Sequence, residues 1–169
     1  MPMRGFVIVL MALALSACAT VQKLDAASDV HALLISIRDG DRATFNTLVD
    51  ERSLKQEIQS RLVAEARRDA RVPSVLAAVL APSLAEIAGE ALIRPEVFRA
   101  VAEEYGYRRD MAIPGPIGIS TMLKPLDDGR VCAVTKSGGA CQLIFAQAPD
   151  GRWRLSGFAG DLSRLRINR

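Results

Sequence analysis

The stretch Ile113-Pro114-Gly115-Pro116-Ile117-Gly118 divides this sequence into two parts with different hydrophobic periods. Prolines and glycines at that density deny the backbone both helix and ladder hydrogen bonds, so the stretch reads as a loop. Before it, apolar residues recur at three- and four-residue steps; after it, they fall in short runs bounded by turn residues. Helices followed by strands can bury the apolar face of a sheet only by packing the helices across it, which is an α+β domain.

In the helical part, Ser28 is placed to cap a helix carrying Val30, Leu33, Leu34 and Ile37 on one stripe, with Gly40 ending it. Asp41 caps a short second helix with Phe45, Leu48 and Val49 on one side. Asp50 or Ser53 opens a third, on which Leu54, Ile58 and Leu62 follow at i+4 steps. Val72 to Ile93 is dominated by Ala, Leu, Val and Ile and is interrupted at Pro82, giving two short helices or one kinked helix, buried on most sides. Pro95 opens the last helix, with Val97, Phe98, Val101 and Tyr105 inward and Gly106 as its C-terminal cap.

After the loop, Val131 to Thr135, Ala140 to Ala148 and Arg152 to Phe158 have strand character. Pro149-Asp150-Gly151 suits a type I turn closed by a glycine bulge, and Ile119 to Leu123 offers a fourth strand. The expected sheet is an antiparallel meander of three or four strands under the helices. That order also fits a cone-shaped, NTF2-like arrangement, by analogy alone.

The beginning of the chain has a different logic. Arg4 precedes the apolar run Phe6 to Ala14, which is shorter than the roughly 20 residues a membrane-spanning helix needs and has the layout of a secretion signal. Leu15-Ser16-Ala17-Cys18 then resembles the bacterial lipobox, in which the cysteine thiol takes a diacylglycerol and the peptide is cut on its N-terminal side. The expected organisation is a signal peptide over 1–17, a lipidated tether over 18–27 and a single domain over 28–169. An irregular tether would span about 17 Å. Two or three acyl chains hold a protein at a bilayer stably where one does not. For a Gram-negative source, Ala19 rather than aspartate after the cysteine favours the outer membrane. The membrane, reached through the N-terminal lipid, is therefore the first expected partner.

Removing the signal leaves about 150 residues, enough for one core. The formal charge of +3 is spread, with acidic and basic residues interleaved above all between Glu51 and Arg71. That pattern is a solvated helical surface. It lacks the dense basic patch with interleaved aromatics that single-stranded nucleic acid requires, so nucleic acid is excluded as a partner.

Several segments are similar to a known family. Leu33 to Leu62, with its Ile37-Arg38-Asp39-Gly40-Asp41 turn and Leu48-Val49-Asp50, resembles the opening of the bacterial family catalogued as domain of unknown function 2939. Leu92-Ile93-Arg94-Pro95-Glu96 and Gly151-Arg152-Trp153-Arg154-Leu155 resemble it too. Glu51-Arg52 departs from the aromatic and proline expected after the aspartate. The resemblance implies the fold and an envelope setting, and carries over no catalytic residue.

Cys132 and Cys141 flank Thr135-Lys136-Ser137-Gly138-Gly139, and a four-residue loop at 135–138 would set them directly across neighbouring strands. In an oxidising compartment the expected state is a disulfide; two reduced strand residues are the alternative. A redox site would more often be a CxxC pair, and zinc would need further ligands in a chain with one histidine. His31, Glu86 and Glu90 are the weak catalytic candidates. His31 sits beside the first helical stripe and needs an orienting carboxylate to act as a base. Glu86 and Glu90 share a helix face and could form an acid/base pair if that face lined a pocket; the ordinary reading is the solvent edge of a buried helix. Trp153 points away from Arg152 and Arg154, as a core residue. G-x-S-x-G and H-E-x-x-H are both absent. The expectation is a non-enzymatic envelope module without cofactor or metal, binding another envelope protein or a small apolar ligand. The rival is a small pocket enzyme, such as a hydrolase, using those carboxylates or His31.

Overall fold

The structure, a computed structural model, describes residues 3–68, 83, 86, 87, 89–104, 106–135 and 139–159. For residues 3–19, 62 and 65–68 only the backbone is described. The elements are α1 (Met3–Asp39), α2 (Arg42–Thr47), α3 (Glu51–Arg68), α4 (Pro95–Glu104), α5 (Pro116–Ser120), β1 (Leu123–Pro125), β2 (Val131–Val134), β3 (Cys141–Gln147) and β4 (Trp153–Phe158). The strands form one antiparallel sheet in the order β1-β2-β3-β4. The domain is α+β, with its helices on one side of that meander. Among the described residues no helix is long and apolar enough to cross a membrane.

The core is the stripe Val30, Leu33 and Ile37 of α1 set against Val131, Phe145, Trp153 and Leu155 of the sheet. The i, i+3, i+7 spacing is what lets one helix face meet the pleated surface over two turns. The α1 helix begins well before Ser28, contrary to the capping role expected of that residue. Ser28 Oγ instead donates to the Leu24 carbonyl 3.2 Å away, inside the helix. Residues 20–27 are therefore not an irregular tether. Ala26 and Ala27 are fully buried and belong to the core.

Gly40 ends α1 with φ +72, which an L side chain adopts poorly, and the Asp41 N–H returns to the Ser36 carbonyl. Asp41 Oδ1 then accepts from the Thr44 N–H at 3.1 Å and caps α2. Asp50, rather than Ser53, caps α3: its carboxylate accepts from the Ser53 N–H at 3.0 Å and the Ser53 hydroxyl at 2.7 Å. Burial pushes the Asp50 carboxyl up, but the Ser53 bonds outweigh it and hold the group below its ordinary value. Glu51-Arg52 is thus an ordinary first helical turn.

Between these caps the chain does something the hydrophobic pattern does not announce. The Asp50 N–H donates to the Leu155 carbonyl and the Leu155 N–H to the Leu48 carbonyl, both at 2.9 Å, so 48–50 adds a short parallel bridge to the edge of β4. In α4, Phe98 packs edge-on to Phe45 with centroids 5.3 Å apart and lies 6.4 Å from Phe158. Gly106, at φ +91, closes α4. The expected helices over Val72 to Ile93 fall largely outside the described residues; 83, 86, 87 and 89–92 are helical. Tyr105 and the side chain of Leu62, both expected inward, also lie outside what is described.

One strand expectation and part of the expected loop need correction. Pro116 to Ser120 is a helical turn, so Pro116 to Gly118 is not loop and Ile119 does not start a fourth strand: Pro116 at its first position has a φ suited to helix and needs no donor there. Ile119 is buried from that turn, and the fourth strand is the shorter β1. The turn at 148–151 forms as its sequence requires, with Gly151 at φ +83 and its N–H on the Ala148 carbonyl.

Candidate functional site

The stretch of α1 that follows Cys18 is where polar side chains converge on the sheet. Trp153 begins β4 directly after the turn and is 2 % exposed. Its backbone N–H donates to Asp29 Oδ2 at 2.7 Å and its indole Nε1–H to Asp25 Oδ2 at 2.9 Å. The two aspartates are one helical turn apart and so share a face, clamping one tryptophan from above. Gln147 Nε2 also reaches Asp25 Oδ2, at 3.4 Å. One turn earlier, Gln22 Nε2 donates to the Gly129 carbonyl in the turn between β1 and β2 at 2.9 Å. Two large apolar side chains of the same stretch are exposed, Val21 at 66 % and Leu24 at 41 %. Sequence reasoning missed Asp25 and Asp29, whose partner lies more than 120 residues away. The signal available was two aspartates at i, i+4, Asp25 in the expected tether and Asp29 just inside the expected domain.

Cys18 lies on the helical backbone of α1, and its side chain is outside the described residues. Cys132 and Cys141 form a disulfide, with Cα atoms 5.6 Å apart. The register differs from the one expected. Val134 pairs with Cys141 and Cys132 with Ile144, across an irregularity between Ala133 and Val134. The extra residues lengthen the loop, and the bridge closes at the irregularity.

His31 lies on α1, apart from Glu86 and Glu90, whose positions are helical. His31 Nδ1 lies 2.9 Å from the Pro114 carbonyl; with the proton on Nδ1 the half-buried ring donates there and fastens the Pro-Gly loop to α1. Glu86 is exposed and pairs with Lys55 Nζ at 2.6 Å, while Glu51 of α3 accepts from the same ammonium at 2.8 Å. Those two bonds, that to Glu51 foremost, raise the Lys55 pKa above its ordinary value. Glu90 is exposed, and its backbone carbonyl accepts from Arg94 Nε. No hydrogen bond or ion pair among the described residues joins His31, Glu86 and Glu90. Nor do the described residues contain a group of three or more His, Cys, Asp or Glu side chains able to hold a metal ion.

The family model described as Protein of unknown function (DUF2939) matches residues 6–101, more than half of the chain. The chain belongs to that family. No curated protein and no solved structure matches it. The DUF2939 match contains the Leu48-Val49-Asp50 segment, which joins helix cap to sheet edge, and Leu92 to Glu96. The Gly151 to Leu155 segment lies beyond the matched residues. The DUF2939 region thus supplies α1 to α3 and most of α4, including both aspartates that grip the sheet.

Proposed function

We propose that the chain is a lipoprotein of the cell envelope, cut before Cys18 and acylated on its thiol, whose domain works at the membrane surface as a non-enzymatic interaction module. The observation that carries this reading is Leu15-Ser16-Ala17-Cys18 directly after a short apolar run led by Arg4. The disulfide fits an exported protein, since such bonds persist in oxidising compartments. In a Gram-negative cell, Ala19 directs the lipoprotein to the outer membrane, facing the periplasm. The partner class is another envelope protein or a small apolar ligand. His31 bonds the Pro114 carbonyl while Glu86 pairs with Lys55, and no bond among the described residues links the two, which favours binding over acid/base chemistry.

Replacing Cys18 with alanine tests the anchor: acyl labelling and membrane fractionation should both be lost. Membrane association that survives Cys18→Ala refutes it. Crosslinking of the lipidated protein in cells, read by mass spectrometry, tests the interaction role. Failure to enrich any envelope protein over an unrelated lipidated control removes that reading.

A further inference from the structure

The tethering reading leaves the domain's orientation open, but the structure narrows it sharply. Gln22 is already bonded to the Gly129 carbonyl, and Asp25 to Trp153. From Cys18 to Gln22 the chain rises about 6 Å as helix, and at most about 14 Å if drawn out straight. With 18–22 helical, as in the structure, an acylated thiol at the boundary of headgroups and acyl chains keeps the first fastened residue within about a headgroup layer's depth of the bilayer. At that depth α1 presents two exposed apolar side chains, beside the exposed Asp127, Asp128 and Arg130 of the turn. Val21 stands one turn after Cys18 on the same helix face, Leu24 one turn further, and both are exposed. Interfacial helices bury such faces about 5–10 Å into the headgroup region. The opposite end of α1 is far away: Asp39 lies about 26 Å along the axis from Gln22, and α2 follows it.

We infer that the anchor-proximal end of the domain, formed by Val21 and Leu24 of α1 and the Leu126–Arg130 turn held to Gln22, docks on the phospholipid bilayer and fixes the domain's orientation there. The docking face rests on the Cys18 reading above. The occupant is the bilayer because the fastened residues begin too close to the lipid for another molecule to intervene. With this end down, α2 and the start of α3 face away from the membrane, toward any partner.

The test uses the full lipidated protein in vesicles of phosphatidylethanolamine and phosphatidylglycerol carrying a headgroup-attached quencher. A fluorophore is placed through Asp127→Cys in the turn or Asn46→Cys on α2, both exposed positions, after the Cys132 to Cys141 bond is verified by mass. Quenching should be strong at 127 and at background at 46. The double substitution Val21→Asp with Leu24→Asp should lose the quenching at 127 while sedimentation with vesicles is retained. Amine acylation of Lys124, exposed on β1 just before the turn, gives a readout in a chain without added cysteines. It should be slower on vesicles than in the soluble Cys18→Ala chain, with Lys55 unchanged. Equal quenching at 127 and 46, or quenching at 127 that survives the double substitution, overturns the docking face. Failure of the lipidated protein to sediment with vesicles refutes the Cys18 reading itself and takes the docking face with it.

Discussion

Substituting Asp29 with alanine removes the acceptor of the Trp153 backbone N–H, a charge-assisted bond of 2.7 Å at a residue that is 2 % exposed. Water has little access to replace it, so the loss should be about 2 kcal/mol, within the range for hydrogen bonds to charged groups. Asp25→Ala should cost less, about 1 kcal/mol, because Asp25 is exposed and water can take its place beside the indole. For a domain near 150 residues these losses correspond to Tm decreases of about 6 °C and about 3 °C. The double variant should fall short of their sum, since both acceptors act on one residue. Trp153 is the sole tryptophan, so thermal unfolding followed by its emission reports on this contact directly. If 20–27 were the loose tether its composition suggests, Asp25→Ala would behave as a surface change within about 0.5 kcal/mol of zero. An Asp29→Ala protein as stable as the parent would refute the clamp and the extension of α1 into the core.

Asp50→Ala should destabilise by about 1 kcal/mol through loss of the α3 cap, and Asp50→Asn by less, since asparagine caps equally well. The Asp50 carboxyl titrates lower when folded than its ordinary value of 3.8. Its contribution is present above that value and is lost as pH falls through the lower, folded one. Acid unfolding of Asp50→Asn should show a correspondingly shallower pH dependence. Reducing the disulfide, or replacing Cys132 and Cys141 with serine, should cost about 2.5 kcal/mol in the chain-entropy account for so short a loop. The denaturant midpoint with and without reductant measures it.

What could be read from the sequence was mostly local. The caps at Asp41 and Asp50 depend on residues three positions away, and the turn at Gly151 on the need for a positive φ. Trp153 was legible as core from strand alternation. The contacts that set α1's length were not, because the polar partners of Gln22, Asp25 and Asp29 lie over 100 residues along the chain. Without those partners, residues 20–27 have too few large apolar side chains to announce a packed helix. Ile119 to Leu123 misled for a related reason. Its β-branched and apolar residues suit a strand, yet Pro116 sets a helical φ just ahead and Ile119 finds its burial from that turn. The cysteine pair was legible as chemistry but not as register, because the irregularity at Ala133 and Val134 lies in backbone pairing that side-chain pattern does not encode.

The bond from Trp153 back to Asp25 and Asp29 also sets the order in which the domain can be completed. The first packed turns of α1 are synthesised early and must wait for β4 to find their partner, while 48–50 waits for the same strand to complete its bridge. Contacts of such long sequence separation are slow to form, since the loop they close must first lose its freedom. The apolar stripe of α1 consequently remains only partly covered until the last described strand has emerged. A chain truncated before Trp153 would keep its helical sequences and lack the strand that fastens both α1 and 48–50.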